Sequence, residues 1–305
     1  MSTQLEYFKQ YKARLASTIG QEGADNLTTN AVFFVNCAVN DFVNTFYGPG
    51  HISLRAGTTI GQYEDFVLQL LQEFIQGLVS LGARRIAVSG VPLFGCWPSV
   101  ITLYSSSITN ALITRACNDT LNAVGNDYNM KVQAALRTQQ NSSANIGLKL
   151  AYFDTYTPMV NIRRNPAAFD PFLFACLFVG IDVTNRGCCG TGLLEGGPLC
   201  NSFSALCANR SEYEFFDSVH PTQTTASIIV NANVAAINSI TKDLQPSANN
   251  IFFAILKTVF LYNPDSYACS DALKYVFWNS IHPSPKTYKL LFVAAKSDID
   301  FIIAD

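Results

Sequence analysis

The sequence predicts an α/β fold organised around a parallel sheet, and three observations carry that prediction. Short apolar runs rich in β-branched and aromatic residues recur at 31–36, 85–89 and 148–154, and long helical patterns separate them. Strand, helix, strand, helix in that order gives a parallel sheet covered on both faces. The 305 residues are 49% hydrophobic and only 14% charged, enough apolar material for one large domain or two small ones.

Each element has its own signal. Leu5, Phe8, Tyr11 and Leu15 fall at helical spacing, so residues 4–18 read as an amphipathic helix. Ala31-Val-Phe-Phe-Val-Asn36 reads as a buried strand that ends in the polar pair Asn40-Asp41. Residues 58–82 repeat Phe66, Leu70, Phe74 and Leu78 along one face, and Gly82 is placed to cap the helix C-terminus. Arg85-Ile-Ala-Val-Ser89 is the next strand, and Gly90-Val-Pro-Leu-Phe-Gly95 turns out of it. A helix over 107–138, a strand over 148–154, and a short helix broken at Asn165-Pro166 follow. Gly187–Asn201, rich in Gly and Cys, reads as a stapled loop. Tyr213–Phe216 is the last strand and 222–241 the closing helix. Gln245–Asn250 reads as a linker, which divides the chain into a domain at 1–242 and a tail at 243–305.

Composition excludes several functions. With Lys+Arg 20 against Asp+Glu 22 and no basic stripe, a nucleic-acid surface is not expected. The longest apolar stretches, Phe172–Ile181 and Ile251–Tyr262, fall short of the ~20 residues that cross a bilayer. The nine cysteines include no CxxC pair and no interleaved histidine, so a metal site is not expected either. Disulfides in an oxidising compartment account for them better, and Asn26, Asn118, Asn141 and Asn209 each head an Asn-x-Ser/Thr triplet open to glycosylation. Against secretion, the polar start carries no apolar signal segment. Nothing in the sequence fixes an oligomeric state.

One phrase occurs twice: Asp217-Ser-Val-His220-Pro-Thr and Asn279-Ser-Ile-His282-Pro-Ser. Around it, Asn201, Ser204, Cys207, Tyr213 and Phe215 recur as Asn263, Ser266, Cys269, Tyr275 and Phe277. The chain has three histidines, and the phrases hold two; His51, after Gly48-Pro-Gly50, reads as an exposed loop residue. An acid three residues before a histidine, where a strand gives way to a helix, suits the acid and base of a serine-type hydrolase if Asp217 folds back across the turn. In the second copy Asn279 replaces the acid and offers an imidazolium no charge, so that copy reads as a degenerate echo. Asn40, at a strand end, is of the right type to donate to an oxyanion. The aromatics of the tail, Phe252, Phe253, Phe260 and Trp278, read as packing.

Gly90-Val-Pro-Leu-Phe-Gly-Cys96-Trp-Pro-Ser99, Asn185-Arg-Gly-Cys188-Cys189-Gly-Thr-Gly192 with the later Cys200-Asn201, and Asp217-Ser-Val-His220-Pro-Thr222 together resemble the plant GDSL esterase/lipase family, a branch of the SGNH hydrolases. The resemblance spans about residues 2–241, and Ser2-Thr-Gln-Leu-Glu-Tyr-Phe8 is similar to the family's middle rather than its beginning. It implies a flavodoxin-like three-layer α/β/α sandwich, secretion, and cofactor-free hydrolysis of carboxylic esters of lipids or acylated small molecules. It implies Asp217 as acid, His220 as base and Asn40 as oxyanion donor, with Ala38 standing where the family has Gly. The plausible disulfides are Cys96 with Cys117, and Cys188 and Cys189 with Cys200 and Cys207 in either arrangement. The Gly-Asp-Ser-Leu phrase that supplies the family's nucleophile has no match in this chain, and neither Ser89 nor Ser218 is placed by sequence to replace it. The expectation is therefore a front-truncated hydrolase domain with weak or no turnover. The competing expectations are an inactive homologue that binds a lipid, ester or protein, or a truncated gene product.

Overall fold

The computed structural model describes residues 2–48, 56–165, 180–196 and 199–243. His51, most of the Phe172–Ile181 stretch and the 245–305 segment with its second His-Pro phrase lie outside the described residues. Among the described residues no helix is long and apolar enough to cross a membrane. The chain divides into two compact units: residues 2–95, 118–160 and 232–243 form one, and 96–117 and 161–231 the other.

The first unit is built on three parallel strands in sequential order, β1 (Val32–Val35), β2 (Arg85–Ser89) and β3 (Lys149–Phe153). Val32 is in register with Arg85, and Arg85 with Lys149. The central β2 is buried at every residue, its apolar centre Ile86-Ala-Val88 flanked by Arg85 and Ser89. Between β1 and β2 runs the helix expected there, Ile60–Ser80. A reciprocal cap opens it: Thr59 Oγ1 accepts from the Gln62 amide, and Gln62 Oε1 accepts from the Thr59 amide. Gly82, at φ +106°, closes it. Its inward residues Tyr63, Val67, Leu71, Ile75 and Leu78 are buried.

Phe42 anchors an aromatic cluster, its ring 5.0 Å from Tyr128 and 6.3 Å from Phe94. Residues 232–243 return to the sheet. Ile240 packs on Ala87 and Ala151, and the Arg85 guanidinium donates to the Ile240 carbonyl (3.1 Å) and pairs with Asp243 (3.3 Å).

Three expected helices differ in extent. The first runs over Ser2–Asn30 rather than 4–18, passing through a kink at Gly20 (φ +79°). The helix expected over 107–138 is two pieces, a π-helical turn at Asn110–Thr114 and an α-helix at Asp119–Ser142. They are separated by Arg115 in the left-handed region (φ +52°), close to the Cys117 disulfide. The closing helix is Gln223–Ala232 followed by Val234–Thr241, because the Asn233 side chain leaves the helical path to clasp Asp154. Asn233 Oδ1 accepts from the Asp154 amide (2.7 Å) and its Nδ2 donates to the Asp154 carbonyl (2.8 Å).

The second unit carries a parallel strand pair, β4 (Val183–Gly187) and β5 (Tyr213–Phe215). The first of these was not expected: Val183-Thr-Asn-Arg-Gly187 is polar, without the apolar run or alternation that marks a strand. Cys188 pairs with Cys207, Cys189 with Cys200, and Cys96 with Cys117. Buried Arg115 serves as a knot, donating to the carbonyls of Asn185 (2.8 Å) and Pro98 (2.9 Å) and to Thr102 Oγ1 (3.1 Å). Arg163 lies over the Phe215 ring at 5.8 Å and pairs with fully buried Glu214 on β5 at 2.9 Å.

Candidate active site

β5 ends at Phe215, and the next residues fold straight back on it. The Phe216 amide donates to the His220 carbonyl (2.8 Å), and the Thr222 amide to the Glu214 carbonyl (3.0 Å). This closes a tight turn with Asp217 and His220 at its two ends. The Asp217 carboxylate spans the turn: Oδ1 accepts from the amides of Val219 (2.8 Å) and His220 (2.7 Å), and Oδ2 lies 2.6 Å from His220 Nδ1. A neutral imidazole donating from Nδ1 leaves Nε2 with its lone pair free to accept a proton. The histidine side chain is 19% exposed and the aspartate side chain 6%.

The Cys-rich segment holds this turn. The amides of Cys188 and Cys189 donate to the carbonyls of Phe215 (3.1 Å) and Phe216 (2.9 Å), and the Ser218 amide donates to the Glu195 carbonyl (2.8 Å). Gly187 permits the approach, since a Cβ there would come within 2.5 Å of the Asp217 carbonyl oxygen. On the other side, the Ser99 amide donates to the Ser218 carbonyl (3.0 Å).

Asn40 belongs to the first unit, on the exit from β1. It is exposed, and its Oδ1 accepts from Asn44 Nδ2 at 3.3 Å. Among the described residues its own Nδ2 donates to nothing. The strand end is tight. Ala38 is buried at φ +82°, a left-handed conformation that suits glycine, and its carbonyl accepts from the Phe42 amide at 3.1 Å to start a π-helical turn at Asp41–Phe46. Nearby Cys37 is unpaired, and burial, then the Asp41 charge, push its thiol up to about 12. That thiol is inert as a nucleophile.

The remaining candidates fall in varied settings. Ser89 is buried and donates to the Gly90 carbonyl (2.9 Å), and Ser218 is buried inside the turn. Among the described residues no hydroxyl bonds to His220 Nε2. Asn26 and Asn141 are exposed on helices. Asn118 caps the Asp119–Ser142 helix by accepting from the Leu121 amide, and Asn209 accepts from the Ser211 amide while donating to Glu212. The site features not foreseen were Arg163, Glu214 and Glu195. Only Glu195 had a sequence signal, its place directly after Cys-Cys-Gly-Thr-Gly-Leu-Leu.

The fold is thus parallel α/β, and a histidine–aspartate pair occupies the turn after β5. The model of the GDSL-like lipase/acylhydrolase family matches residues 1–233, and the chain belongs to that family. It is similar to GDSL esterase/lipases of Arabidopsis thaliana. One is 40% identical over 224 residues, 73% of this chain and 56% of the relative. Another is 38% identical over 231 residues, 76% of this chain and 59% of the relative. A third is 35% identical over 231 residues, covering 76% and 60%. The chain thus spans less than two thirds of the length of these curated relatives. The family and the disulfides are compatible with an extracellular location.

Proposed function

We propose that the chain supplies the acid and base of a carboxylic ester hydrolase acting on lipids or acylated small molecules. The observation that carries this reading is the 2.6 Å contact between His220 Nδ1 and Asp217 Oδ2. In the proposed mechanism His220 Nε2 takes the proton of a serine hydroxyl as that oxygen attacks the ester carbonyl, and then returns it to the departing alkoxide. Asp217 holds the imidazole in the required tautomer and stabilises the imidazolium. Asn40 has, by residue type, the role of oxyanion donor, a contribution of about 3 kcal/mol when such a donor is well placed. Exposed Leu103, Ile108, Ile113, Leu199 and Phe203, all in the unit that carries the pair, support an apolar acyl substrate. Secretion fits the three disulfides and the glycosylation triplets.

The serine itself is the open part of the proposal. Gly-Asp-Ser occurs nowhere in the 305 residues, so these residues by themselves turn over esters weakly or not at all. The test is a fluorophosphonate probe on the purified chain, beside the chain extended with the Gly-Asp-Ser-Leu-bearing segment of a relative. The extended form should label and hydrolyse a short-chain nitrophenyl ester, and His220→Ala should abolish both. Stoichiometric labelling of the unextended chain would overturn the statement about the serine. Full turnover by the extended His220→Ala form would overturn the assignment of the base.

A further inference from the structure

Glu195 lies next to the turn but outside the acid–base pair, and its carboxylate is saturated with bonds from its own loop. Oε1 accepts from the Thr191 amide (2.9 Å) and hydroxyl (2.8 Å), and Oε2 from the amides of Leu193 (3.1 Å) and Leu194 (3.2 Å). Burial acts to raise this carboxyl, but the bonds from Thr191, then those from the amides of Glu195 and Leu194, outweigh it and hold it down at about 2. It is therefore ionised wherever a histidine titrates.

The loop is shaped to the carboxylate. Gly190 and Gly192 sit at φ +66° and +71°, and a Cβ on Gly190 would come within 2.6 Å of Glu195 Cγ. The backbone of the same residue grips the catalytic turn through the bond from the Ser218 amide (2.8 Å), and Gly196 abuts Ser218 so closely that a Cβ there would lie 2.8 Å from its Oγ. Side chain and main chain of one residue thus join the disulfide-stapled loop to the middle of the Asp217–His220 turn.

We propose that Glu195 is a positioning residue for the acid–base pair: its carboxylate fixes the loop so that its carbonyl holds the Ser218 amide and keeps Asp217 opposite His220. This rests on the reading of Asp217 and His220 as acid and base, and extends it. A structural role in the loop alone would affect stability and leave the histidine unchanged, which separates the two.

The experiment is proton NMR of the chain, following the low-field Nδ1 proton and the imidazole titration of His220, assigned by His220→Gln. Glu195→Gln should lower the proton affinity of His220 at least threefold and speed exchange of the Nδ1 proton. Thr191→Val, which removes only a hydroxyl bond, should act in the same direction and less strongly, and it serves where Glu195→Gln fails to fold. Asp243→Asn, which weakens an ion pair in the other unit, should lower thermal stability without moving the His220 signals. An unchanged His220 in Glu195→Gln, or in Thr191→Val where that variant must serve, overturns the proposal alone. A wild-type chain with no protected Nδ1 proton on His220 overturns the acid–base reading and this extension with it.

Discussion

Asp217 and His220 are joined twice: one carboxylate oxygen accepts the His220 backbone amide at 2.7 Å and the other faces its Nδ1 at 2.6 Å. The carboxylate is therefore part of the turn's hydrogen-bonded frame as well as the ring's partner. The two functions separate by substitution. Asp217→Asn keeps an oxygen for the amides of Val219 and His220 and should cost about 1 kcal/mol in urea unfolding. Asp217→Ala leaves both part-buried amides without an acceptor and should cost about 2 kcal/mol. Equal losses in the two variants would mean that the turn does not depend on those bonds.

Ala38 occupies a left-handed conformation that disfavours any residue with a Cβ by roughly 1 to 2 kcal/mol. Ala38→Gly removes that strain but adds freedom to the unfolded chain, so the net gain should be about 0.5 to 1 kcal/mol. A raised urea midpoint with an unchanged slope is the expected result. A lowered midpoint would contradict the strained backbone.

The disulfides close loops with separations of 19 residues for Cys188–Cys207 and 11 for Cys189–Cys200. Each should contribute about 3 kcal/mol through the unfolded chain, with the longer loop contributing slightly more. The more specific expectation concerns the turn. Cys189→Ala with Cys200→Ala should speed hydrogen exchange at the Ser218 amide, which the stapled segment holds, well beyond any change at Val88 in β2. Uniform acceleration at both amides would show only global destabilisation.

Two buried carboxyls set a pH dependence. Burial pushes Glu64 from 4.5 up to about 7, against the opposing pull of Lys131 at 2.8 Å. Burial likewise raises Glu214 despite its pairing with Arg163. In this range the folded chain binds more protons than the unfolded one, so the stability from these groups is full below about pH 4.5 and declines as pH rises through 7. Glu64→Gln should flatten that decline in urea midpoints measured between pH 4.5 and 7. An unaltered slope would mean that Glu64 is ionised throughout.

Arg163 and Glu214 form a buried pair whose separation should be costly. Arg163→Met alone strands the Glu214 carboxyl and should destabilise by about 3 to 5 kcal/mol, and adding Glu214→Gln should recover most of the loss. Additive losses in the double variant would show that the pairing contributes nothing.

Much of this arrangement was legible in the sequence where one residue's chemistry dictates its surroundings. The run Arg85–Ser89 could only be a buried strand, and Gly82 could only end a helix. Asp217 and His220 were readable because a short turn must bring positions three apart together. Positions governed by distant partners were not readable. β4 is a polar strand made by pairing with β5 rather than by its own composition, and the break at Asn233 is decided by Asp154. Arg163, a basic residue at a helix end, owes its role to fully buried Glu214, which is distant in sequence. Ala38 was legible only as a residue standing where the family has Gly, and its left-handed backbone was not.

The clasp of Asn233 on Asp154 and the grip of Arg85 on Asp243 also bear on vectorial synthesis. A ribosome delivers all three strands of the first sheet before residue 155, yet the helix that packs Ile240 against Ala87 and Ala151 emerges some ninety residues later. Until then Ala87 and Ala151 lack the cover that Ile240 gives them. Cys96 and Cys117, Cys188 and Cys207, and Cys189 and Cys200 all precede that helix in the chain, so the staples of the second unit can form while the first is still incomplete.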